Sequence, residues 1–229
     1  EDQAKGPVAN PVEMGMSDVE TAMERVKAIS GYKPYFERAF GDDSMTVENA
    51  AKAVAAFERT LITPGSPYDR YVKGDKKAMT EQQVRGMNTF ASTGCVACHS
   101  GAAFNGPEME PGKGFYAKFP TFTDNTYVSK YKLDLDKGRA DVTGSEADVN
   151  MFRLQTLRNI TDTAPYFHNG SVNDLHEAVR IMAKTQLNRD LADADVDDIV
   201  EFLTALTGEY PVIIMPRLPA TTGTSLVAD

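Results

Sequence analysis

Cys95-Val96-Ala97-Cys98-His99 constrains this chain more than any other stretch. It holds the only two cysteines, and one of the three histidines follows the second of them directly. C-x-x-C-H is the attachment signature of a c-type haem. Each cysteine sulfur adds to one vinyl group of the porphyrin, and the short spacing lets a single turn of chain reach both. The next residue then stands under the ring and offers an imidazole to the iron as proximal ligand. Two other uses of C-x-x-C fit less well. A structural zinc site needs a full set of Cys or His ligands, and His168 and His176 are not spaced as a finger. A thioredoxin-like redox pair belongs in a βαβ context, whereas the flanks here read as helices.

Composition bounds the remaining classes. A chain of 229 residues suits one large or two small domains. At 41% hydrophobic and 25% charged it can bury a sizeable core and is not a disordered composition. A net charge of −9 without a Lys/Arg cluster excludes a phosphate-neutralising nucleic-acid face. An acidic surface suits a basic redox partner, and equally a plain solvated exterior. No apolar run approaches the roughly 18–20 residues of a membrane helix. The first residues do not read as a secretory leader, and Glu1-Asp2-Gln3 resembles an internal point of a longer chain.

Along the chain, residues 1–16 read as a stiff, non-helical loop, because Pro7 and Pro11 restrict themselves and the residues before them. Ser17-Asp18-Val19-Glu20 reads as a capping box opening a helix with Val19, Met23 and Val26 on one face. A short helix from Pro34 to Phe40 ends at Gly41. Thr46 caps a longer one whose stripe is Val47, Ala50, Val54, Phe57 and Leu61. Pro64-Gly65-Ser66-Pro67 is the domain boundary, as the densest breaker cluster. Thr80-Glu81-Gln82-Gln83 is a second capping box, and its helix closes at Gly94 just before Cys95. Residues 101–150 read as a long functional or haem-covering loop. Asn169-Gly170 marks a tight turn, Ser171 or Asn173 caps a helix faced by Leu175, Val179 and Met182, and a last helix runs from about Asp195 to Leu206. Val212-Ile213-Ile214-Met215 is suited to docking on apolar surface, and Thr221 to Asp229 is expected to fray.

An electron-transfer haem usually takes a sixth ligand, Met or His. Ten methionines and the two remaining histidines compete for that place. Met182 shares a helix face with Leu175 and Val179, which fits core packing as well as ligation. His168 is its rival, and is equally readable as a turn histidine bonded to backbone. His176 reads as solvent-facing.

Four stretches together resemble the bacterial dihaem cytochrome c peroxidases. They are Gln3 through Gly15, Cys95-Val96-Ala97-Cys98-His99, Thr163-Ala164-Pro165-Tyr166-Phe167-His168-Asn169-Gly170-Ser171-Val172, and Glu177 through Leu187. The resemblance implies two haem domains, an N-terminal one that cleaves peroxide and a C-terminal, high-potential one that receives electrons from a small soluble donor, a cytochrome c or a cupredoxin. It places Cys95, Cys98, His99 and Met182 at the high-potential haem. It places Gln3 and Glu13 in the peroxide pocket of the other, and the carbonyls of Thr163 and Pro165 at a calcium ion. Glu13 suits the chemistry, because breaking O–O heterolytically needs a group that takes a proton from one peroxide oxygen and returns it to the other. The family's first C-x-x-C-H and a tryptophan between the haems lie upstream of Gln3, whereas this sequence has one C-x-x-C-H and no Trp. A related group that matures a tryptophan-derived cofactor has Tyr where this chain has Met182, which favours the peroxidase branch.

The reading is therefore an all-α protein. It comprises the helical remainder of a peroxidatic, cytochrome-like domain (1–65), a c-type cytochrome domain (66–208) and a tail packing back on the N-terminal part (209–229). The resemblance implies peroxide reduction in a bacterial periplasm, with one covalent haem c on this chain, a second in the full family pattern, calcium, and a possible homodimer. A single-haem electron carrier without peroxidase activity is the alternative.

Overall fold

The computed structural model describes residues 1–110 and 113–220. It divides into two compact units, Glu1–Ile62 with the described part of Tyr210–Asp229, and Thr63–Glu209. The chain is mostly helical. The expected fraying of Thr221 to Asp229 falls outside the described residues.

The first unit holds α1 (Asp2–Ala9), α2 (Val19–Lys27), α3 (Lys33–Phe40) and α4 (Val47–Glu58). The expectation of a non-helical loop over 1–16 is corrected by α1, which contains Pro7. Proline's fixed φ is itself helical, so in a short helix its cost is one missing N–H bond. The chain after α1 then folds back on it, Met14 N–H donating to the Pro7 carbonyl at 3.2 Å and Met16 N–H to that of Val8 at 3.0 Å. Asp18, one residue later than expected, caps α2, its carboxylate accepting the Thr21 N–H at 2.6 Å. Thr46 caps α4 as its position suggests, accepting the Asn49 N–H at 3.2 Å.

The inward face of α4 differs from the apolar stripe. Ala51 and Ala55 are buried, while Val54, Phe57 and Leu61 are 45–48% exposed. Both α1 and α2 lie against α4. Small side chains permit the closest approach of helix backbones, so the alanine face turns inward and the bulky one outward. Phe57 and Thr60 line an open groove with Pro211 through Pro216 of the same unit.

The second unit holds α5 (Pro67–Val72), α6 (Glu81–Thr93), β1 (Tyr116–Lys118), α7 (Thr126–Tyr131), α8 (Ala140–Thr143), β2 (Met151–Arg153), α9 (Leu175–Leu187) and α10 (Asp193–Thr204). The Thr80/Gln83 capping box is present, and Gly94 closes α6 in the left-handed region at φ 107°. The α6–α10 contact is the most extensive in the unit. It centres on Gly86, which lies against the Asp198 carbonyl. Around it Met79, Phe90, Phe104, Ile199, Phe202 and Leu206 form one apolar cluster. A wholly buried side chain such as Phe202 contributes about 1.5–3 kcal/mol.

The all-α expectation agrees with a mostly helical chain, to which one small sheet is added: β1 and β2 pair antiparallel, Ala117 opposite Phe152. Residues 101–150 carry β1, α7 and α8. Three-residue strands are too short to show a period-2 pattern. The face of α9 is also wider than Leu175, Val179 and Met182, which are half-buried, while Ala178, Ile181, Ala183 and Thr185 are the buried positions. The reason is that α9 serves two clusters. Leu175 and Val179 touch the first, and Ile181 belongs to a second with Phe119, Leu133, Tyr166 and Val172, against which Met182 packs. Neither Ser171 nor Asn173 caps α9. Tyr166 and Val172 form an isolated bridge, so the chain stays extended until Asp174, whose carboxylate accepts the Glu177 N–H at 2.7 Å.

Candidate cofactor site

The left-handed Gly94 turns the chain out of α6 and straight into a 3-10 turn, Cys95–Ala97. The His99 N–H returns to the Cys95 carbonyl at 2.9 Å. Both cysteines and His99 thus stand on one tight turn, and both thiols are free. Burial pushes the Cys95 thiol up to about 11, the nearby Cys98 adding to it and Arg189 opposing it, so it stays protonated. Cys95 packs against the first apolar cluster.

His99 is half-buried, its ring 6.2 Å from that of Phe90. Burial pulls its pKa below the ordinary value, partly opposed by the hydrogen bond to Phe104. That bond assigns the tautomer. His99 Nδ1 lies 3.1 Å from the Phe104 carbonyl oxygen. A carbonyl can only accept, so Nδ1 carries the proton and Nε2 keeps its lone pair. A neutral imidazole whose second nitrogen donates to a carbonyl is the usual state of an iron or zinc ligand. Free thiols on one turn, a pre-set Nε2 and an aromatic surround (Phe90, Phe104, Phe202) fit a covalently held haem.

Met182 and His168 both lie near the second cluster. Met182 is half-buried on α9. The His168 ring stacks on Phe152 at 4.2 Å and 15° and meets Phe119 edge-on at 5.9 Å. Its Nε2 is buried without a hydrogen-bond partner. Burial lowers its pKa, with Asp136 opposing. His176 is partly exposed near Asp174 and Asp197, at 4.0 and 3.5 Å.

Gln3 and Glu13 belong to the first unit, where Gln3 is exposed on α1 and Glu13 on the turn after it. The Glu13 N–H donates to the Asn10 carbonyl at 3.1 Å and the Gly15 N–H to the same oxygen at 2.9 Å, so the turn is held by its own backbone. Thr163 and Pro165 lie together on an exposed segment, Thr163 Oγ1 donating back to the Ile160 carbonyl at 3.2 Å. Among the described residues no three His, Cys, Asp or Glu side chains gather as a metal cluster.

Residues the sequence did not single out support the C-x-x-C-H turn. Phe104, whose carbonyl orients His99, has φ 54°. Arg158 pairs with Asp69 at 2.8 Å. Burial opposes ionisation of Asp69, but hydrogen bonds from Arg158 and Ser66 outweigh it and hold the carboxyl below its ordinary range. No local pattern marks Arg158, which sits among other polar residues in Thr156-Leu157-Arg158-Asn159.

Comparison with known proteins gives a consistent result. A family model described as "Di-haem cytochrome c peroxidase" matches residues 1–77. The chain is 42% identical over 218 residues to the cytochrome c551 peroxidase of Nitrosomonas europaea, covering 95% of this chain and 61% of that protein. It is 40% identical over 226 residues to the cytochrome c551 peroxidase of Pseudomonas aeruginosa, covering 98% of this chain and 62% of that one. The chain thus spans about three fifths of the length of these relatives. Among solved structures, a MauG-like protein associated with microbial copper homeostasis superposes with a TM-score of 0.72 at 26% identity, over 91% of this chain and 68% of that one.

Proposed function

The chain belongs to the di-haem cytochrome c peroxidase family, and on that premise we propose that it takes part in reducing hydrogen peroxide to water with electrons from a small redox protein. In this reading Thr63–Glu209 is the c-type cytochrome domain that receives the electrons. Residues 1–62 are the helical remainder of the peroxide-cleaving domain. Haem c supplies one-electron chemistry at its iron.

The observation that carries this reading is the Nδ1–H of His99 committed to Phe104, beside two free thiols on the same turn. Cys95 and Cys98 form the thioether links. His99, through Nε2, and Met182, through its sulfur, would be the residues that ligate the haem iron. A thioether ligand raises the reduction potential, which suits a site that collects electrons. In the peroxide pocket, Gln3 orients the substrate by hydrogen bonding. The Glu13 carboxylate takes a proton from the near oxygen and delivers it to the leaving one. The Thr163 and Pro165 carbonyls are hard oxygen donors suited to calcium. The donor is a soluble cytochrome c or cupredoxin and the setting periplasmic. Among the described residues no helix is long and apolar enough to cross a membrane.

A second reading, a single-haem electron carrier, is favoured by the exposure of Gln3 and Glu13. Glu13→Ala, made in a form carrying both haems, separates the two. Loss of about 100-fold or more in peroxide turnover is expected of a missing general acid–base. Unchanged turnover removes Glu13 from the mechanism.

A further inference from the structure

The segment Gly101–Phe104 presents four successive carbonyls, and each meets its own donor. The Gly101 carbonyl accepts the Phe104 N–H at 3.1 Å. Ala102 accepts Arg158 Nε at 2.7 Å. Ala103 accepts Thr156 Oγ1 at 2.7 Å and the Leu157 N–H at 3.2 Å. Only the fourth, that of Phe104, faces His99. Three carbonyls are thus anchored, and the fourth is aimed.

The aim needs anchoring. A bulky residue at positive φ costs of order 1–3 kcal/mol and persists only where its surroundings over-determine it. Phe104 is such a residue, 7% exposed and at φ 54°. Arg158 constrains the loop from outside it. Its guanidinium makes a two-pronged pair with Asp69, Nη1 to Oδ2 at 3.0 Å and Nη2 to Oδ1 at 2.8 Å. Asp69 is set in turn by the fully buried Ser66, whose Oγ donates to Oδ2 at 2.9 Å. With both Nη groups committed, Nε points at one place, and that place is Ala102. The same guanidinium lies 6.0 Å from the Phe104 ring centre. Thr156 is seated likewise, accepting the Arg158 N–H at 3.0 Å while donating to Ala103.

We propose that Arg158 and Thr156 are positioning residues that hold the Phe104 carbonyl against His99 Nδ1 and so set how strongly Nε2 donates to iron. This rests on the reading of His99 as an iron ligand. A stronger Nδ1–H···O bond makes the imidazole more basic and favours the oxidised metal. Loosening the strap therefore weakens the ligand and raises the reduction potential. Lysine cannot replace Arg158, because a point charge cannot hold Asp69 and the Ala102 carbonyl in one plane.

The test uses the holoprotein with covalent haem. Arg158→Gln and the milder, nearly isosteric Thr156→Val are compared with wild type by redox titration and by the ferric low-spin resonance spectrum. Each variant is expected to shift the oxidised/reduced balance about tenfold toward the reduced form, which is 59 mV for a one-electron couple, and to move the g-values. Arg158→Lys does not restore either. Arg85→Gln is the control, because it removes the exposed 3.3 Å pair with Asp198 far from the loop in hydrogen-bond connectivity. It should leave potential and spectrum unchanged. A potential unchanged or lowered in both strap variants, with only thermal stability reduced, overturns the proposal. A His99→Gly variant that keeps the wild-type spectrum overturns the ligand reading instead, and the proposal with it.

Discussion

Gly86 of α6 lies directly against the Asp198 carbonyl of α10, so the helix that delivers the haem turn is seated on its partner with no room for a side chain. Any Cβ there meets backbone, which cannot rotate away. Alanine at 86 gains about 1 kcal/mol of helix propensity, and overpacking costs about 1–3 kcal/mol and more where backbone must shift. The clash outweighs the propensity gain. Gly86→Ala should lower the urea-unfolding free energy of the protein by about 2 kcal/mol, and a neutral or stabilising result would show that the helices can part freely.

The Asp69–Arg158 pair has a defined pH signature. The folded-state pKa of Asp69 lies below its ordinary 3.8. Its contribution is therefore present above that ordinary value and lost as pH falls through the depressed one. The stability difference between wild type and Asp69→Asn should stay constant from pH 7 to about 5 and shrink below pH 4. A difference that already fades at pH 6 would assign the effect to another group.

Met182→Ala tests the sixth ligand. A Met-ligated ferric c-type haem shows a weak sulfur-to-iron band in the far red, and the variant should lose it while retaining covalent haem. Retention of the band moves the ligand to another of the ten methionines, whereas a wild-type protein without the band points to His168, whose Nε2 is buried and unpartnered.

The calcium assignment predicts an effect of chelation. Removing calcium should loosen the exposed Thr163–Pro165 segment, seen as faster amide exchange there, and adding it back should restore protection. Identical exchange with and without chelator counts against the site.

Peroxide chemistry predicts a double dissociation. Glu13→Ala should abolish turnover in the two-haem form and leave the His99/Met182 spectrum intact. Met182→Ala should slow reduction by the donor without altering the Glu13 turn. Variants that each change both readouts would place the residues in one site.

The proposed haem attachment can be read from sequence because its chemistry is local: two thioether links and a proximal imidazole would come from one turn, so five adjacent residues suffice to write it. Capping residues were legible for the same reason, as at Thr80 and Thr46. Where a local pattern met a competing contact, tertiary structure decided. The bulky stripe of α4 lost to Ala51 and Ala55, which allow closer helix approach. Pro7 sits inside α1, which its helical φ permits, and the following turn bonds back to its carbonyl. Asp174 rather than Ser171 or Asn173 caps α9, because the Tyr166–Val172 bridge keeps the preceding chain extended.

By itself, then, the sequence determined that two cysteines and a histidine share one short stretch, the pattern on which the proposed haem attachment rests. Only the tertiary structure decided the state in which that imidazole is presented. The proton on His99 Nδ1 depends on a carbonyl in a left-handed residue, and that carbonyl on an arginine and an aspartate 89 positions apart. No periodicity or spacing encodes such a link, because hydrogen bonds between distant segments exist only once the packed helices have brought their donors and acceptors together.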